Sequence, residues 1–400
     1  MSLAPADLLA ELVSIPSVNP MGRDLDGPEY FEARLTDYLQ ELFQRHDLPW
    51  HRQMVAPRRD NILARVDGAR PPSEGGKLLL LEAHQDTVPV DGMTIDPFDP
   101  RIEGGKIYGR GSCDIKGGMA AMLTAFLRLA QERPEGMPTV VMACSVNEEF
   151  GFTGATAMAE LWHGGKRTFF AKPPDGAIVA EPTDLNVVVA HKGVLRWRCH
   201  ARGRAAHTSQ PQRGVNAIYK MVPVIEAVER YHREEIPRLE EHPLCGRPTV
   251  CVSMIQGGIS VNTVPDRVTI DIDRRLTPGE DAQQAYGKLV DYLNRNAGGQ
   301  PEIQHDEPYS VSPGLSDANN GAWAERLMSI VQEQVPECRK TGVAYGTDAS
   351  AFDAAGVPSV VFGPGSIDQA HTADEWLEIS QLEQAAELYY RIAREAFGEA

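Results

Sequence analysis

Four short apolar runs in this 400-residue sequence lead into side chains that can ligate a hard cation. Lys77 to Ala83 closes on His84-Gln85-Asp86, Thr139 to Val146 on Asn147-Glu148-Glu149, and Ala177 to Ala180 on Glu181, while Pro358 to Gly363 leads to His371. A fifth candidate, Asp114, ends the Gly-rich segment Gly109-Arg110-Gly111-Ser112-Cys113-Asp114. Imidazole nitrogens and carboxylate oxygens are the donors zinc takes at catalytic sites, where one position stays open for water. Two zinc ions need terminal ligands and a group that bridges them. His84, Glu149, Glu181 and His371 fill the terminal places, and Asp114 suits the bridge. Asp86, two residues beyond His84, is placed to accept the other imidazole N–H and fix the ring's tautomer. Glu148, beside a ligand but projecting differently, is placed as the general base that deprotonates a water. The chemistry implied is metal-assisted hydrolysis.

The elements that must hold these residues follow from the apolar runs. Strands buried in a parallel sheet read as continuous Val, Ile and Leu, and open α/β sheets collect their chemistry at the strands' carboxyl ends. Strands are predicted at 61–66, 78–83, 139–146 and 177–180, with helices at 8–13, 30–43 and 119–131. Near residue 192 the pattern changes to strand 194–201, helix 215–231, strands 249–255 and 267–273, helix 282–293 and strand 302–305. That order is a split βαβ arrangement. Helix 323–335, strand 358–362 and helix 382–396 follow. The predicted fold is α/β: a mixed, mainly parallel sheet flanked by helices, built from residues 1–191 and 308–400. An α+β ferredoxin-like domain is inserted at 192–307.

Composition excludes several classes. The net charge of −17 disfavours nucleic acid and anionic membranes as partners, since both select positive surfaces. No apolar stretch approaches the roughly 20 residues that span a bilayer, and the first residues lack a signal-peptide pattern, so a cytoplasmic protein is expected. Six scattered cysteines without a C-x-x-C pair read as reduced thiols, with Cys113 a small packed side chain rather than a ligand. The segment from Gly109 to Gly118 lacks the spacing of a phosphate-binding loop. Arg275 is a candidate for a substrate carboxylate through its planar guanidinium, the alternative being an ion pair within the inserted domain. Arg274, on the opposite face, reads as structural.

These segments carry a family resemblance over essentially the whole chain. His84-Gln85-Asp86-Thr87-Val88-Pro89, the stretch from Gly109 through Asp114-Ile115-Lys116-Gly117-Gly118, Asn147-Glu148-Glu149 and Glu181-Pro182-Thr183 occur in order. Ala206-His207, Gly214-Val215-Asn216-Ala217, Gly257-Gly258 with Asn262, Arg275 with Pro278-Gly279, Gly346-Thr347-Asp348 and His371 follow. The chain resembles the co-catalytic di-zinc hydrolases that include acetylornithine deacetylase, succinyl-diaminopimelate desuccinylase, aminoacylase and glutamate carboxypeptidase. The resemblance implies one zinc on His84, Asp114 and Glu181 and the other on Asp114, Glu149 and His371, with cobalt a possible substitute. It implies Glu148 as base, His207 at the oxyanion, and substrate contacts from Asn262, Arg275, Gly363 and Gly365. It also implies a cis peptide after Asp114, and a homodimer paired through the inserted domain, which serves as lid. The segment from Gly363 to His371 most resembles acetylornithine deacetylase, an enzyme of arginine biosynthesis. The expected activity is therefore amide hydrolysis of N-acyl-L-amino acids. A carboxypeptidase, dipeptidase or desuccinylase of the same family is the alternative, and a non-catalytic binding descendant is the reading from outside enzymology.

Overall fold

The computed structural model describes residues 4–162, 169–297 and 303–398. The chain divides into two compact units: Met1–Val189 with Ser316–Thr341 and Thr347–Ala400, and Ala190–Leu315 with Gly342–Gly346.

The first unit is built on an eight-stranded sheet. Its order is Trp50–Ala56, Arg59–Val66, Thr139–Ser145, Leu78–His84, Gly176–Val179, Ser359–Val361, Val187–His191 and Lys340–Val343. The middle four strands, 139–145, 78–84, 176–179 and 359–361, are mutually parallel. They are also the four apolar runs of the sequence. Every residue of strands 78–84, 139–145 and 176–179 is buried, which explains why these segments show no alternation. At about 1.5–3 kcal/mol for each fully buried leucine, the run from Leu78 to Leu81 anchors the sheet's centre. The sequence pattern predicts no strand at 50–56, 187–191 or 340–343, which complete this sheet. Strand 50–56 lies at the sheet's edge, and its residues are exposed or half-buried.

Helix Lys116–Glu132 packs against the sheet and against helix Ile379–Glu395. It begins where Asp114 ends its loop, and Gly118 makes that approach possible. A Cβ at Gly118 would lie 2.8 Å from the Cβ of Ala180, the residue before Glu181. Trp376–Glu378, Lys106–Tyr108 and Arg101–Glu103 form a small separate sheet.

The second unit follows the order strand, helix, two strands, helix, strand. Strand Gly193–Arg202 lies between Arg267–Leu276 and Ile303–His305, with Thr249–Gly257 at the edge, all antiparallel. Helices Ala217–Glu234 and Ala282–Asn296 share a buried core with one face of this sheet, through Trp197, Val224, Ile270 and Leu289 among others. This is the ferredoxin-like arrangement expected. Glu302, included in the last predicted strand, lies outside the described residues. Among the described residues no helix is long and apolar enough to cross a membrane.

Candidate metal centre

Four adjacent parallel strands place their carboxyl ends along one edge of the sheet, and the chain leaves each of them through a candidate ligand. His84 is the last residue of its strand, and Glu181 stands two beyond the end of 176–179. Glu149 sits in the single helical turn Glu148–Gly151 that follows 139–145. His371 arrives by the longer loop after 359–361. Asp114 lies between them: its Oδ1 is 3.2 Å from His84 Nε2 and its Oδ2 is 3.2 Å from His371 Nε2. Glu181 Oε1 is 3.9 Å from His84 Nε2, and Glu149 Oε2 is 3.4 Å from His371 Nε2. Two groups result, His84/Asp114/Glu181 and Asp114/Glu149/His371, each offering ligand atoms within 4.8 Å of one another. The peptide bond between Asp114 and Ile115 is cis.

The donor chemistry fits a pair of divalent cations. Among the described residues Glu149 Oε1 is buried without a hydrogen-bond partner, which is costly for a carboxylate unless a cation faces it. Burial pushes Glu148 and Glu181 well above the usual carboxylate range, and neighbouring acids add to the effect. Glu149 is raised by burial and by Asp114. The histidines move the other way from buried imidazoles. Burial opposes the charged form of His371, yet the carboxylates of Asp114 and Glu149 carry it to about 11. His84 is likewise raised against its burial by Asp114 and the surrounding acids. Burial also opposes ionisation of Asp114, but hydrogen bonds from His371 and His84 hold it well below the usual range. Protons on the two imidazoles thus stand where metal ligation requires lone pairs.

Asp86 departs from expectation. His84 Nδ1 lies 2.9 Å from the Asp86 backbone carbonyl and 3.7 Å from its carboxylate. The strand ends at His84, so the alternation that would align the two side chains is lost. The Asp86 carboxylate instead accepts from the backbone N–H groups of Glu148 (3.1 Å) and Glu149 (3.2 Å) and from Asn19 Nδ2 (2.7 Å). It holds the turn that carries Glu148 and Glu149, and negative charge at the N-terminus of a helical turn is favourable. Asn147, which opens that turn with φ +62°, accepts from Asn19 Nδ2 and donates its backbone N–H to buried Glu32. Glu32 is ion-paired to Arg59, and Arg59 also donates to Asn19 Oδ1. Asn19, Glu32 and Arg59 escaped the sequence reading. The one signal was a pair of polar residues, Ser17 and Asn19, between Pro16 and Pro20.

The remaining site candidates scatter. Gly363 and Gly365 are buried in the first unit. A Cβ at Gly363 would lie 2.7 Å from the Glu181 carbonyl oxygen, and Gly365 accepts from the Asp184 backbone N–H at 2.7 Å. Both are held by chain packing. His207 and Asn262 are exposed in the second unit and adjacent: His207 bridges to Thr263, and Thr208 donates to the Asn262 carbonyl at 3.1 Å. Arg275 pairs with Asp273 at 2.8 Å. Their loops adjoin the other end of Arg275's strand, where Gly203 N–H donates to Asp266. Eight residues separate Arg267 from Arg275 on that strand, about 27 Å at 3.4 Å per residue. Arg274 is buried and paired with Glu280 at 2.6 Å, the structural role expected of it.

A family model described as peptidase family M20/M25/M40 matches residues 80–395. A protein of Staphylococcus aureus named probable succinyl-diaminopimelate desuccinylase is 26% identical over 408 aligned residues, covering 93% of this chain and 92% of that one. The solved M20 metallo-carboxypeptidase Sso-CP2 of Sulfolobus solfataricus superposes with a TM-score of 0.77 at 19% identity, covering 98% of this chain and 99% of that one. The Bacillus subtilis YXEP protein, described as a dinuclear metal-binding M20 peptidase, superposes at 0.65 with 16% identity, covering 97% and 96%.

Proposed function

The chain belongs to peptidase family M20/M25/M40, and from that premise we propose that it hydrolyses the amide bond of N-acyl-L-amino acids with two zinc ions and Glu148 as base. Membership makes it a metal-dependent hydrolase of amide bonds; the acyl-amino-acid substrate and the residue roles are our reading. The observation that carries it is the pair of ligand groups sharing Asp114, one oxygen toward each histidine, with Glu148 next in sequence to Glu149. His84, Asp114 and Glu181 would hold one ion, and Asp114, Glu149 and His371 the other. Cobalt would serve as a substitute.

Two cations held by these residues would supply Lewis-acid polarisation of the scissile carbonyl and of the attacking water, and their charge would favour the ionised form of Glu148. Glu148 takes the proton of the attacking water and passes it to the leaving nitrogen, one carboxyl acting first as base and then as acid. Its burial keeps bulk water from competing for that proton. Asp86 and Asn19 hold the turn so that Glu148 and Glu149 keep separate roles. The name of the S. aureus relative favours an N-succinyl group, and the likeness of the segment from Gly363 to His371 favours N-acetyl. Both belong to the same substrate class.

His207 is assigned to the oxyanion of a partner subunit, and Asn262 to the same substrate. Arg275, some 27 Å along the unit, cannot share one small substrate with them, which supports a homodimer in which the two ends of this unit serve different sites. A sheet edge open among the described residues at strand 249–257, with Met254 and Ile255 about half exposed and Tyr219 and Val222 exposed on helix 217–234, supports the same assembly.

The test is a panel of N-acetyl-amino acids, N-succinyl-amino acids and dipeptides offered to zinc-loaded protein. Hydrolysis of N-acyl substrates is expected. Cleavage confined to dipeptides would move the assignment to a peptidase, and no hydrolysis by metal-replete protein would defeat it.

A further inference from the structure

Beyond the two-cation reading, on which this inference rests, we propose that Glu375 is a positioning residue that locks the bridging carboxylate of Asp114 to the loop carrying His371, and so sets the affinity of the second cation selectively.

Glu375 is fully buried, yet its two oxygens are satisfied by four donors from one short segment. Oε2 accepts from Arg110 Nη1 at 2.7 Å and from the Gly111 N–H at 3.0 Å; Oε1 accepts from the N–H groups of Cys113 and Asp114, each at 2.9 Å. Its backbone carbonyl accepts from the Gly109 N–H at 3.0 Å. Side chain and main chain of one residue thus grip the loop from Gly109 to Asp114 at both ends. Charge-assisted hydrogen bonds of this kind are short and roughly twice as strong as neutral ones. Glu375 stands four residues after His371, whose Nε2 faces Asp114 Oδ2. The clamp therefore ties together two ligands that no shared strand connects.

The two ligand groups differ in what else holds them. His84 ends a central strand and Glu181 follows its neighbour, so the sheet fixes both. The side chain of His371 is 50% exposed and lies on a loop at φ +60°, outside any strand or helix. Asp114 serves both groups, but removing the clamp leaves the first with two ligands resting on the sheet, whereas the second also loses the tie between Asp114 and His371. Outer partners of metal ligands are commonly worth about 10- to 100-fold in metal affinity, and here that loss falls chiefly on one ion.

The experiment is a cobalt(II) titration of metal-free, full-length protein, followed by calorimetry and by the visible absorption of the bound ion. Wild type is expected to take up two equivalents. Glu375→Gln is expected to bind the first with wild-type affinity and spectrum and the second about 10- to 100-fold more weakly, whereas Asp374→Asn, on the exposed neighbour, shifts neither. Arg110→Gln, which removes one of the four donors, gives a smaller shift of the same ion and carries the test if Glu375→Gln does not fold. Two wild-type affinities in a folded Glu375→Gln protein, or equal weakening of both ions, would overturn the inference. Fewer than two equivalents in wild type would instead overturn the two-cation reading beneath it.

Discussion

At the scale of single residues, the site without cations is a balance between acids and protonated imidazoles. Burial drives Glu148, Glu149 and Glu181 toward neutrality, while Asp114 stays ionised because two histidines donate to it. His371, carried to about 11, and His84, also raised, are protonated at neutral pH, and each must give up a proton to become a ligand. Cation uptake should therefore release protons, and affinity should rise with pH as competition from the imidazolium form is removed. Zinc titrations at pH 7 in buffers of different ionisation enthalpy measure this directly. Net proton release is the expected result, and a binding enthalpy that does not depend on the buffer would contradict the charge states assigned to His84 and His371. In the cation-free protein the same shift gives linkage of one sign: the stability His371 contributes is present below its unfolded value and lost as pH rises toward about 11. With half its side chain exposed, that contribution is weakened by solvent screening.

At the scale of elements, what could be read from sequence tracks what burial imposes. The four central strands are buried on both faces, so their composition alone marks them as parallel, and their ends point to the ligands. Sequence cannot supply what depends on the turn after a strand. Strict alternation would make Asp86 a partner of the His84 ring, but the chain leaves the strand at His84 and the carboxylate turns to the amides of Glu148 and Glu149. Asn19, Glu32 and Arg59 meet that turn only through tertiary folding, and no periodicity connects residue 19 to residue 147. Glu375 is hidden for the same reason, because its partners lie more than 260 residues away. Strand Lys340–Val343 lies at the sheet's edge, exposed or half-buried, and so carries no apolar run to mark it. Arg274 was legible, since alternation along strand 267–276 does hold and turns it to the face opposite Arg275.

At the scale of the whole molecule, the first unit carries the proposed ligands and base, and the second carries His207 and Asn262, proposed to serve a partner's site. If His207 acts in the partner's site, two separately inactive proteins should complement each other. Mixing His207→Ala with Glu148→Gln under conditions of subunit exchange should restore activity, because heterodimers contain one site with both residues intact; no recovery despite proven exchange would exclude catalysis across the interface. The unmixed Glu148→Gln protein is also the most direct test of the central claim, that this chain hydrolyses an amide through a water deprotonated by Glu148 beside two cations. Its zinc content and its turnover of the N-acyl substrate cleaved by wild type should be measured on the same sample. The account predicts two equivalents of zinc and a loss of about 10²- to 10⁴-fold in turnover, the usual worth of a positioned general base, while near-wild-type turnover in the metal-replete variant would contradict it.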